Sequence, residues 1–220
     1  MKLRVILKIL IPILLLSSSA NALFTDLSLP TVKGVKRVVD RSSIGFEWKS
    51  LANFPRVQGV NIYRAKAING SKQMFDKIAT VPTRYATHYV DTTAQPGVRY
   101  YYTFTTIAGI SESAHGDIVA VKSKPPYKSV KFVSATLVDR GIVKLLWVPH
   151  SEQTIMGYII QRECSDNNRW DVLSRVKGRL FPEYIDTKAP RGYICNYRVF
   201  AVDGNGMTSK ISKELQVKVR

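Results

Sequence analysis

The chain has 220 residues, 45% of them hydrophobic, with 33 basic and 16 acidic side chains and a formal net charge of +17. Its length suits two domains of about 100 residues each once a leader is set aside. The charge divides evenly, +7 in residues 23–124 and +7 in residues 125–220, which argues for a generally cationic surface and against a dedicated nucleic-acid arm.

Lys2, Arg4 and Lys8 lead into an aliphatic run from Val5 to Leu16, broken only by Lys8 and Pro12. Ser17, Ser18 and Ser19 follow, and then Ala20-Asn21-Ala22. A basic start, a short apolar run and an A-x-A site are the three parts of a secretory signal, so residues 1–22 read as a leader and Leu23 as the first mature residue. An uncleaved anchor is the alternative, but the run is short of the roughly 20 residues that a bilayer span needs. No Cys stands at the cleavage site to take a lipid. No later segment is apolar enough to form an integral membrane span, so the expected location is outside the cytoplasm: periplasm, cell surface or secreted.

From residue 23 onward the chain is a repeat. Ile44-Gly45-Phe46-Glu47-Trp48 answers Val143-Lys144-Leu145-Leu146-Trp147, each an alternating run that ends in Trp, as a half-buried strand does. After Gly59 comes Val60-Asn61-Ile62-Tyr63-Arg64, and after Gly157 comes Tyr158-Ile159-Ile160-Gln161-Arg162. Tyr89-Val90-Asp91 matches Tyr184-Ile185-Asp186, and counting on without a gap aligns Tyr102 with Tyr197 and Gly109 with Gly204. Asn69-Gly70 and Asp166-Asn167-Asn168 supply turn residues after the third strand of each half. Lys122-Ser123-Lys124-Pro125-Pro126-Tyr127-Lys128 reads as a short stiff linker, which sets the domains at 23–124 and 125–220. Helix signals are absent, and strand-like runs separated by turns predict an all-β chain of two antiparallel sandwiches.

Together these elements resemble the fibronectin type III family over nearly all of residues 28–220. The matching features are the Trp that ends strand B, the aromatic-aliphatic strand C after Gly, the Y-x-D segment, and Pro96-Gly97-Val98-Arg99-Tyr100-Tyr101-Tyr102 at the corner before strand F. The resemblance implies two consecutive immunoglobulin-like sandwiches, with the Tyr100 hydroxyl bonded to nearby backbone as a tyrosine corner. The second half departs from the pattern, because Cys195 stands at the corner position. In this topology the end of strand C lies beside the start of strand F. Tyr158, Ile160, Arg162 and Cys164 share one face, and Cys195, Tyr197, Val199 and Ala201 are expected to point the same way. A Cys164–Cys195 disulfide is therefore expected in place of the corner bond, stabilising by roughly 3 kcal/mol in the chain-entropy model. Two separate thiols are the alternative.

Catalytic signatures are missing from the sequence. His88, His115 and His150 fall in different parts of the repeat, without metal-ligand spacing, and no nucleophile elbow or phosphate loop occurs. Asp91 and Asp186 are equivalent turn-formers in two domains. The expectation is a non-enzymatic protein without cofactor or metal. Contacts are expected at loops, first at the loop after Trp48, where Lys49, Leu51, Phe54 and Arg56 mix charge with apolar surface. Phe54 is either a contact or a cap on the core. A second set is Arg169, Trp170, Arg175, Lys177 and Arg179, either a binding edge or a solvated one. Tandem domains behind an export signal resemble bacterial surface adhesins that bind host matrix proteins such as fibronectin. The alternatives are a periplasmic structural or assembly scaffold of the envelope and a cationic binder of anionic glycans. In each case the partner is a protein or glycan and not a nucleic acid.

Overall fold

The computed structural model describes residues 24–68, 71–72, 74–166 and 168–220. The expected leader, the Asn69-Gly70 turn and Asn167 lie outside the described residues. The chain divides into two compact units between Ser123 and Lys124. Among the described residues there is no helix, and so none long and apolar enough to cross a membrane.

Alternation writes the first unit. It contains β1 (Phe24–Thr25), β2 (Lys36–Val39), β3 (Ile44–Glu47), β4 (Gly59–Ile68), β5 (Ser71–Lys72), β6 (Asp76–Val81), β7 (His88–Asp91), β8 (Arg99–Ala108), β9 (Ser111–Glu112) and β10 (Val119–Lys122). One sheet has the order β2-β3-β7. In the other, β4 and β8 are central, with β5 and β6 along the far side of β4 and β9 and β10 along the far side of β8. Because successive strand residues point to opposite faces, Ile44, Phe46 and Trp48 from one sheet meet Val60, Ile62, Tyr102 and Phe104 from the other in a single core. Phe46 lies 4.5 Å from the Tyr102 ring and 5.4 Å from Phe104.

The second unit repeats this arrangement with fewer interruptions. Its strands are β11 (Phe132–Asp139), β12 (Ile142–Trp147), β13 (Ile155–Cys164), β14 (Asp171–Lys177), β15 (Glu183–Asp186), β16 (Ile194–Asp203) and β17 (Leu215–Lys218). They form sheets of order β11-β12-β15 and β14-β13-β16-β17. Its core gathers Val143, Leu145, Trp147, Tyr158, Ile160, Tyr197 and Val199. Gly59 at the start of β4 and Gly157 at the third residue of β13 are glycine for a steric reason: a Cβ there would overlap the carbonyl oxygen of Val81 or Val176 on the neighbouring strand. Asn168 has φ 48°, the left-handed turn conformation expected of it.

The stretch that reads as a linker is anchored at both ends. Ser123 is buried and donates to the carbonyl of Gln95 in the first unit. Tyr127 lies in the core of the second, its ring 6.0 Å from His150 and its hydroxyl 2.8 Å from the Thr154 hydroxyl. Adjacent prolines flanked by charge hide this anchoring, since nothing local distinguishes a buried Tyr from an exposed one.

Candidate functional site

Each unit first secures the corner where the third strand meets the strand pairing with it. In the first unit Arg64 stands opposite Tyr102 across β4 and β8, and in the second Arg162 stands opposite Tyr197 across β13 and β16. Both pairs close on a buried carboxylate. Asp91 accepts from the Tyr102 hydroxyl at 2.7 Å, from Arg64 Nη1 at 2.8 Å and from the Thr93 amide at 2.8 Å. Asp186 accepts from Tyr197 at 2.9 Å, from Arg162 Nη1 at 2.6 Å and from the Lys188 amide at 3.0 Å. Burial works against the Asp91 carboxylate, but these donors outweigh it and hold its pKa below the ordinary value. Burial and the adjacent carboxylate push Tyr102 and Tyr197 well above the usual tyrosine range, so both remain O–H donors. A carboxylate saturated in this way orders the fold. The triads were legible in part, since all six residues sit at matched repeat positions, but reading the Asp as turn-formers missed the Arg and Tyr that close on them.

Two register positions further along, the two corners diverge. The Tyr100 hydroxyl accepts from the Gln95 amide at 2.9 Å, the expected tyrosine corner. Tyr100 pairs with Lys66 across the sheet, and in the second unit the same register position holds Cys195 opposite Cys164, joined as a disulfide with an S–S distance of 2.01 Å. The bridge thus takes the place of the corner tyrosine, as expected from the alternation of strands C and F.

The loop between β3 and β4 folds as two successive turns, in which the Phe54 amide donates to the Leu51 carbonyl at 3.0 Å and the Val57 amide to Phe54 at 2.9 Å. These turns send Leu51 and Val57 into the core and leave Phe54 outside, 43% exposed. Leu51 therefore presents little surface to a partner, and Phe54 is the apolar group on offer. Arg56 is engaged, its Nη2 2.7 Å from Asp26 Oδ2 and its Nη1 2.9 Å from the Ser28 hydroxyl. Lys49 is not. Its amide donates to the Lys33 carbonyl at 3.3 Å, and its aliphatic stem lies along Gly34, whose φ of 65° and missing side chain make the room. Lys33, Lys49, Ser50, Leu51 and Phe54, with Pro30 and Thr31, line a hollow of about 290 Å³. No acid lines it, and neither lysine side chain has a hydrogen bond or ion pair among the described residues. Sequence reasoning found Lys49 and Phe54 but missed Lys33, which enters from the segment before β2 and has no local mark.

The second basic set is largely committed within its own unit. Arg169 pairs with Asp171 at 3.0 Å, and Arg179 donates to the His150 carbonyl at 3.0 Å. Trp170 is half-buried under the Arg198 guanidinium, 3.8 Å from its ring centroid, and Arg198 Nε donates to Gln161 at 2.7 Å. Arg175 and Lys177 project from β14, the edge strand of its sheet, where exposed charge discourages edge-to-edge pairing. Among the described residues no set of His, Cys, Asp and Glu comes together to hold a metal ion.

In each unit a three-stranded sheet faces a larger one, of four strands in the second unit and extended by short strands to seven in the first, with a buried Trp at the end of β12 or just after β3 and a closed corner before the long β16 or β8. Each has the fibronectin type III fold. The chain is similar to a two-fibronectin-type-III-domain segment of chicken tenascin, at 14% identity and a TM-score of 0.41, over 86% of this chain and all of that one. It is similar also to the chicken CNTN1 FN1–FN3 domains, at 14% identity and a TM-score of 0.42, over 86% of this chain and 67% of that one. No family model and no curated protein matches the chain. Strand order and corner chemistry, rather than these distant likenesses, identify the fold.

Proposed function

We propose that this protein is an exported, non-enzymatic protein-binding module that docks acidic partners through the loop end of its first fibronectin type III unit. The carrying observation is the hollow beside Phe54, where two lysines without side-chain partners among the described residues flank an exposed aromatic ring and no acid lines the space. A ring that gains by leaving water, framed by cations that meet carboxylates, suits a protein surface pairing an apolar anchor with Asp or Glu. The secretory pattern of residues 1–22 and a disulfide, which persists in oxidising compartments, support export. Display on the cell surface, with a host matrix protein such as fibronectin as partner, is the specific form of this reading. Protease shaving of intact cells beside a periplasmic control tests it. Loss of the protein with the control intact is the expected result, and full protection would replace the adhesin with an envelope scaffold.

A further inference from the structure

A second group of unpaired cations lies on the first unit, where the free edges of β2 and β10 border one hollow of about 290 Å³. Arg37 and Val39 line it from β2, Ala120, Val121 and Lys122 from β10, and Arg99 from the start of β8. Arg37, Arg99 and Lys122 are all exposed, and none has a side-chain hydrogen bond or ion pair among the described residues. Arg99 and Lys122 also stand directly opposite each other in the ladder, an arrangement of like charges that opposes pairing. The repeat shows that the fold does not require these cations. At the matching register positions of the second unit, Ala135 replaces Arg37 and Ile194 replaces Arg99, and only Lys218 keeps the charge of Lys122.

The backbone beside them is available. β10 pairs with β8 on one side only. The Ser123 amide donates to the Val98 carbonyl at 3.0 Å, so by the alternation of an antiparallel ladder Val121 turns inward to Tyr100. Ala120 and Lys122 then direct their amide and carbonyl groups to the open edge. We infer that this edge takes an acidic extended peptide, which adds as a strand to β10 and places its carboxylates on Arg37, Arg99 and Lys122. The small Ala120 side chain leaves the approach clear, and four residues of β10 accommodate a partner strand of about 13 Å. This surface is separate from the loop hollow and does not depend on it.

The test uses the whole mature chain and a fluorescent hexapeptide alternating glutamate and valine, with binding read by anisotropy. Saturable binding is expected, weakened at least tenfold in the Arg37→Gln/Arg99→Gln/Lys122→Gln variant. Methylating alternate backbone nitrogens of the peptide along its pairing edge is expected to abolish binding, since it removes the ladder donors while keeping every carboxylate. Ala120→Pro, which deletes one edge donor without touching the β8 ladder, is expected to weaken binding with an unchanged melting temperature. Equal binding of the methylated peptide would overturn strand addition, as would a sulfated oligosaccharide that binds in the peptide's place. Absence of saturable peptide binding would overturn the site altogether.

Discussion

The two units differ most where their frames agree best. At one register position the first unit carries Lys66 opposite Tyr100 and the second a disulfide. At another, Gly45 lies between the exposed Val38 and Val90, whereas Lys144 fills the same place and pairs with Glu183 at 2.7 Å. The second unit also engages Arg169, Arg179 and Arg198 within itself. The first leaves Lys33, Lys49, Arg37, Arg99 and Lys122 without partners among the described residues. Equal net charge therefore conceals a difference in placement: these five cations of the first unit border two hollows without an acid in the lining.

The largest expected effect separates the corners. Replacing Cys164 and Cys195 with Ala should lower the stability of the second unit by about 3 kcal/mol. The transition of the first unit should stay in place, as scanning calorimetry of the whole chain would show. An equal shift in both transitions would mean that the units do not unfold independently.

Tyr102→Phe and Tyr197→Phe probe what the corners share. Each leaves a buried carboxylate short of one donor, and a loss of about 1–3 kcal/mol is expected in the unit concerned. Similar losses in chemical denaturation would support a common triad. A neutral result in the second unit alone would show that the disulfide makes its triad redundant.

Tyr100→Phe is a finer cut. It removes the acceptor of the Gln95 amide and should cost about 1 kcal/mol in the first unit only. Titration gives the smallest contrast. The lowered folded pKa of Asp91 contributes stability that is present above about pH 4, the unfolded value, and is lost as the pH falls through the folded one. The raised Tyr102 and Tyr197 act oppositely: their contribution is complete below about pH 10 and is lost as the pH rises toward their folded values. Melting temperatures measured across both ranges should fall at each extreme, and Asp91→Asn should flatten the acid limb of the first unit.

Much of this frame was legible in the sequence, because repetition and alternation are local signals that tertiary structure preserves. The strands ending at Trp48 and Trp147 follow from counting along the chain, whereas the Tyr100 corner, and the strand topology that lets Cys164 face Cys195, follow from the resemblance to the fibronectin type III family. The contact surfaces were less so. Leu51 and Phe54 are three residues apart in one loop, and only the turns between them decide which is buried. Lys33 with Lys49, and Arg37 with Arg99 and Lys122, come together through sandwich closure from segments that carry no shared motif. A lone basic residue reads alike in sequence whether a neighbour pairs with it, as for Arg56, or leaves it open, as for Lys49.

The most direct measurement is binding of the mature chain to immobilised fibronectin, comparing Lys33→Glu/Lys49→Glu with Arg175→Glu/Lys177→Glu. Saturable binding that falls at least tenfold in the first variant and persists in the second is the predicted result. Loss only in the second variant, or no saturable binding by the unaltered chain, would contradict the assignment of matrix contact to the first unit.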